Sequence, residues 1–139
     1  MTNRLLRRAA LLVPVAALAA CSDLTGGDGG TAAGLSIEDA SGNQVVTVSA
    51  AGVSGSLTVN QGSQRDYDIV LRAANGGVVV PTATETVRVT VVNSGVASWT
   101  GNEAGTLRGN QRGSTTMRVD LISAGTAVYT SPSIPIQVN

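Results

Sequence analysis

The sequence predicts an all-β protein folded as an antiparallel β-sandwich. Three observations point there. Val, Ile, Leu and Tyr alternate with polar residues at period two in several short runs. Gly, Asn, Ser and Pro break these runs at about 8–12-residue spacing, the rhythm of a sandwich. No stretch from Leu35 onward keeps a helical period through three turns.

Taken in order, Val45–Val48 is the first strand candidate. Ser56–Val59 follows, after a Gly-containing break at Ala51–Gly55. Tyr67, Ile69 and Leu71 then alternate with Asp66, Asp68 and Arg72, giving one apolar and one polar face. Asn75-Gly76 is a hairpin signal of type I′, which needs positive φ at both central residues. Val78–Val80 leaves that turn. Val87, Val89 and Val91 alternate with Arg88, Thr90 and Val92. Met117, Val119 and Leu121 alternate with Thr116, Arg118 and Asp120. Ile134, Ile136 and Val138 alternate with Pro135 and Gln137. Pro132 and Pro135 mark this last strand as an edge or a bulged one, because proline donates no ladder hydrogen bond. Tyr67, Trp99 and Tyr129 are the only aromatic residues, so Val, Leu and Ile must build the core. About 105 residues suffice for one domain with a single core.

The N-terminal part reads differently. Arg4, Arg7 and Arg8 precede an uncharged apolar run from Ala9 to Ala20. This is the charge-then-apolar order of an export signal, ending in small residues. It is shorter than the roughly 20 residues a spanning helix needs, and Pro14 interrupts it. Leu18-Ala19-Ala20-Cys21 resembles the lipobox of bacterial lipoproteins. The resemblance implies cleavage before Cys21, a diacylglycerol on its thiol and anchorage in a membrane. Ser22, rather than Asp, follows Cys21, which under the family's sorting rule favours the outer membrane. The alternative is an ordinary signal peptide and a soluble periplasmic product. Residues 22–34 are rich in Gly and read as a flexible spacer. The expected organisation is a signal peptide over 1–20, a lipidated cysteine and tether over 21–34, and a sandwich over 35–139.

Composition removes whole classes of chemistry. Beyond residue 20 the chain holds six arginines against nine acidic residues, with no Lys and no His. That balance does not indicate a nucleic-acid face. Without His, Lys or a second Cys, serine and cysteine hydrolase arrangements lack their base, and a typical zinc site lacks its ligands. No catalytic residue, cofactor or metal is therefore expected. Asp66 and Asp68 share a strand face and could form a carboxylate pair acting on glycans; a solvated face is the plainer reading. Glu38-Asp39 before Gly42 reads as a turn rather than a calcium loop. Arg108 and Arg112, with Asn110 between them, could grip an acidic partner or a sugar carboxylate; otherwise they are a solubilising loop. Trp99 is either a partner-contact residue or, as the one large aromatic of an aromatic-poor chain, core.

One further resemblance spans roughly residues 43–139. Val96-Ala97-Ser98-Trp99, Gly105-Thr106-Leu107-Arg108-Gly109 and Gly113-Ser114-Thr115-Thr116-Met117-Arg118-Val119 occur in that order. Leu57–Gly62 and Arg72–Gly76 precede them. Together they resemble the group 2 bacterial Ig-like family. The departure is that Val89 stands where the family often has Trp, and Trp99 where Val is usual. The resemblance implies an Ig-like sandwich used in adhesion or as a spacer, and transfers no catalytic residue. The expected product is a monomeric envelope module that contacts an envelope protein or glycan.

Overall fold

The computed structural model describes residues 30–139. The expected signal segment, Cys21 and the tether up to residue 29 lie outside the described residues. All regular structure among the described residues is strand. The strands are β1 (Ala32–Asp39), β2 (Gln44–Ser49), β3 (Gly52–Gly55), β4 (Leu57–Val59), β5 (Gln64–Ala73) and β6 (Val78–Val79). They continue as β7 (Glu85–Val91), β8 (Ala97–Gly101), β9 (Ala104–Gly109), β10 (Gly113–Ser123), β11 (Thr126–Thr130) and β12 (Ile134–Val138).

Two sheets form. The first has the order β3-β2-β1-β5-β9-β8, with β6 also on β5. The second is built on β10, which carries β7 along one edge and β11 followed by β12 along the other. The alternation explains the core. Leu35 and Ile37 of β1, Val46 and Val48 of β2, Tyr67, Ile69 and Leu71 of β5, and Leu107 of β9 are buried from the first sheet. Val87, Met117, Val119, Leu121, Ile134, Ile136 and Val138 are buried from the second. Each such aliphatic side chain contributes about 1.5–3 kcal/mol relative to exposure.

The structure corrects several expectations. β1 starts at Ala32, ahead of Leu35, so part of the expected tether is strand. The reason is packing: Gly34 lies so close to the Val48 carbonyl that no side chain would fit there. The Gly of a supposed spacer is a close-approach Gly. β3 occupies the stretch read as a break. Asn75-Gly76 does turn the chain, but only Gly76 has positive φ. Gly76 N–H donates to the Ala73 carbonyl and Ala73 N–H to the Gly77 carbonyl, a type I turn closed by a left-handed glycine. A two-residue loop with both φ positive occurs instead at Ala124-Gly125, between β10 and β11. β12 is not an edge: β10 flanks it on one side and β4 on the other. The β4–β12 pair is parallel, an exception in otherwise antiparallel sheets. The interruption falls before β12, at Ser131–Ser133. There the Ser131 hydroxyl accepts the Val119 N–H at 2.9 Å and so keeps the ladder satisfied.

Strand directions give the sandwich two distinct ends. At one lie Gly30 and Ala32, the β2–β3 turn, the β5–β6 turn and the Ala124-Gly125 loop. At the other lie the β4–β5, β7–β8 and β9–β10 loops and the final residue, Asn139. The first described residue and the last are thus at opposite ends.

Candidate functional site

Arg108, Asn110 and Arg112 come together at the end that carries Asn139. Arg108 pairs with Gln64 at the start of β5 and with Ser98 of β8. The Leu107 side chain, one residue earlier, is fully buried, so alternation turns Arg108 outward. Arg112 is exposed in the β9–β10 loop. Neither arginine has an ion-pair partner among the described residues, where the pairs are Arg72–Glu38 and Arg88–Asp120.

Asn110 does a different job from the one expected of it. Its side-chain amide donates to the Ser94 carbonyl at 2.8 Å and to Ser98 Oγ at 3.2 Å. Its backbone N–H donates to the Val96 carbonyl at 2.9 Å. Asn110 therefore ties the β7–β8 loop to the β9–β10 loop. Neighbouring loops are braced similarly. Gly62 N–H donates to the Gly109 carbonyl and Gly109 N–H to that of Ser63. Gln61 and Asn139 anchor the chain end by one bond each, to the Asn139 and Val59 carbonyls. The result is a fixed platform from which Arg108 and Arg112 project.

Trp99 is separated from these arginines. It pairs with the buried Leu107, so its side chain leaves the opposite face of the sheet from Arg108. It is half-buried rather than central, because β8 is an edge strand of the first sheet. The indole lies over Gly105, where any Cβ would collide with it, and Nε1 donates to the Gly101 carbonyl at 3.1 Å. Trp99 is a side cover of the core and does not join a cluster with Arg108, Asn110 and Arg112.

The acidic residues resolve into separate roles. Asp66 and Asp68 are both exposed on the outer face of β5, beside a shallow depression of about 290 Å³. Asp66 accepts the Thr106 hydroxyl at 2.6 Å. Asp39 caps its own turn, accepting N–H bonds from Ser41 and Asn43. The Asn43 backbone and side-chain bonds hold its carboxyl below the usual value of 3.8. No group of three or more acidic, His or Cys residues able to hold a metal occurs among the described residues.

Asp120 is the outer-face residue whose burial alternation does not foresee. It stands on the outer face of β10, yet it is only 6% exposed. Arg88 Nη2 donates to it at 2.9 Å and the Thr130 hydroxyl at 2.8 Å. Burial works against its charge, but these two bonds and the Arg88 and Arg118 charges prevail and lower its pKa. The cross-strand pairing of Arg88 and Thr130 with Asp120 is invisible without knowing the sheet order.

No protein-family model matches the chain, and no curated protein matches it. Among solved structures, it is similar to three pieces of the S-layer protein SbsC. Domains 4 and 5 align at 20% identity and TM-score 0.44, over 61% of this chain and 47% of that one. Domains 5–6 align at 21% identity and TM-score 0.43, over 62% and 40%. Domains 1–6 align at 16% identity and TM-score 0.44, over 75% and 20%. The chain thus spans less than half the length of each of these structures.

Proposed function

We propose that this protein is a non-enzymatic module of the bacterial cell envelope, a monomer with one Ig-like sandwich, lipidated at Cys21 and lodged in the outer membrane. Its role is to hold a braced tip towards a partner in the envelope, an acidic protein or glycan. The observation that carries the reading is the opposition of the two ends. The described chain starts at the end holding Gly30, and Arg108 and Arg112 project from the end holding Asn139. β5 alone spans about 33 Å of that distance at 3.3 Å per residue. A lipid at Cys21 puts the attachment point on the side of the end holding Gly30 and leaves the arginine end free to face away from the bilayer. Two or more acyl chains make such anchorage stable.

The first test is metabolic labelling. Cells expressing the wild-type chain incorporate labelled palmitate into it and retain it in the membrane fraction. Cys21→Ser abolishes the label and releases the protein. A wild-type chain that stays soluble and unlabelled sinks the anchored reading. The second test is capture from native envelope by the purified chain. Arg108→Ala with Arg112→Ala weakens capture in a salt-dependent way; identical capture by the double variant removes the arginines from the contact.

A further inference from the structure

The end of the sandwich near Gly30 carries a hollow that the anchored-module reading does not use. It opens on the outer face of the first sheet and holds about 490 Å³, within the 300–1,000 Å³ range of small-molecule sites. Its bed is made of residues with little or no side chain, among them Ala33, Ala51 and Ala74. The hollow exists because larger side chains are missing from three neighbouring segments: β1, the β2–β3 turn and the β5–β6 turn.

Arg72 stands in this groove on a prepared support. Its Nε and Nη2 donate to Ser36 Oγ at 3.3 and 3.2 Å, and Nη2 also reaches Glu38 Oε1 at 3.4 Å. Ser36 is 1% exposed, so the guanidinium rests on a fixed hydroxyl rather than swinging in water. Among the described residues, Nη1 has no protein acceptor, and the Gln44 and Thr47 side chains that also line the groove have no protein partner. An arginine with a free Nη1, an amide and a hydroxyl therefore converge over a flat bed of methyl groups and backbone.

We propose that this groove binds a carboxylate-bearing, hydroxyl-rich sugar, a uronic-acid unit of a glycan. The carboxylate accepts from the free Nη1 of Arg72, a single charge-assisted hydrogen bond from a guanidinium already held in place through Nε and Nη2. The ring hydroxyls take Gln44 and Thr47, and the C–H face of the ring lies on the alanine methyls. Glu38 already offsets the Arg72 charge, so recognition rests on geometry and discriminates by the carboxylate, not by long-range attraction. An extended peptide is the poorer fit. β1 is hydrogen-bonded to β2 on one side and β5 on the other, and so offers no free backbone edge to a added strand.

The test uses the full chain, purified with detergent, in a calorimetric titration with trigalacturonate and, in parallel, with the neutral galactose trimer. The acidic sugar gives saturable binding at millimolar concentration or below, at least about tenfold tighter than the neutral one, as loss of a charged hydrogen bond predicts. Arg72→Lys keeps the charge but cannot rest on Ser36 and still present a free donor to the groove, and it weakens binding about tenfold or more. Ala33→Phe fills the groove and abolishes binding, while its melting temperature confirms the fold. Arg108→Ala leaves binding unchanged. Equal affinity for the neutral trimer, no saturation with either sugar, or full binding by both groove variants overturns the proposal. Loss of binding in Arg108→Ala alone also overturns it, by moving the sugar to the opposite tip. Palmitate incorporation is scored separately, so failure here leaves the anchored reading standing, and the reverse holds equally.

Discussion

The two ends of the sandwich are closed by different means. At the arginine end, backbone bonds run between loops: Gly62 to Gly109, Asn110 to Val96, Gln61 to Asn139. Gly109 is needed there for tightness, since a Cβ on it would meet the Asn60 carbonyl at 2.6 Å and Val138 Cγ1 at 3.0 Å, although Gly62 in the neighbouring loop has open space. At the end near Gly30 the glycines of the turns are spacious. Gly52, Gly76 and Gly125 have nothing within 4 Å of a built Cβ. Three large apolar residues stay exposed there: Val78, Val80 and Val128, at 46%, 61% and 48%. One end is braced and its side chains are free to project. The other is loosely filled and leaves room between its turns. The contrast separates a platform from a groove, and it can be broken experimentally.

The largest effect should come from Gly109→Ala. Its added methyl meets backbone, which cannot move aside like a flexible side chain. Overpacking of this kind costs about 1–3 kcal/mol, and the upper part of that range is expected because three loops share the joint. The check is chemical denaturation, with hydrogen exchange at Gln61–Ser63 as the local readout. An alanine variant as stable as wild type would mean that the braced end has slack.

Next comes Trp99→Ala, which asks how completely the flank of the first sheet is sealed. Full removal of a buried Trp costs about 3–5 kcal/mol. Trp99 is half-buried at an edge, so about 2 kcal/mol is expected, with fluorescence partly accessible to acrylamide. A loss above 4 kcal/mol, or complete shielding from quencher, would place the indole deeper than its edge position allows.

The fold class was legible because period-two patterning survives wherever one face is buried. β5, β7, β10 and β12 all carry it. What escaped was set by neighbours in space. β1 alternates only over Leu35-Ser36-Ile37-Glu38, and the Ala-Ala-Gly before it reads as the end of a spacer, so the strand start was lost. Ser36, on its outer side, is covered by Arg72, and that cover depends on the β1–β5 pairing. β3 and β11 are short strands with few fully buried side chains, so neither shows a buried stripe. Of the candidate site, Arg108 and Arg112 read as loop residues, whereas Arg108 lies on β9; Asn110 looked like a ligand contact because its partner, the Ser94 carbonyl, is 16 residues away. The groove was not legible at all, since a hollow made by missing side chains leaves only alanines in the sequence.

The pH response compares a carboxylate from each end. Asp120 lies in the half of β10 that runs towards the Ala124-Gly125 loop, and Asp39 caps a turn at the arginine end. Both have folded pKa values below 3.8. A depressed folded pKa contributes stability that is present above the unfolded value and is lost as pH falls through the folded one. Stability should therefore decline below about pH 4. Asp120→Asn should flatten that acid limb more than Asp39→Asn, because Asp39 is solvent-screened and Asp120 is buried between Arg88 and Thr130. Thermal melts from pH 7 to pH 2.5 check this. A steeper limb in Asp120→Asn than in wild type contradicts it.

The smallest effect is a gain, and it belongs to the loose end. Ala124 has φ of 48°, in the left-handed region, and Gly125 follows at 81°. For an L-residue with a Cβ this region costs roughly 1–2 kcal/mol, whereas Asn tolerates it and is favoured at the first position of a type I′ loop. Gly125 has open space around it, so the loop is not held in place by packing from above. Ala124→Asn should then raise stability by about 0.5–1 kcal/mol, within the usual gain from correcting turn chemistry. Ala124→Gly should gain less, because glycine also adds freedom to the unfolded chain. If Ala124→Asn destabilises, the loop is being held by something other than its own backbone preference. That result would make the end near Gly30 as constrained as the arginine end and dissolve the contrast between them.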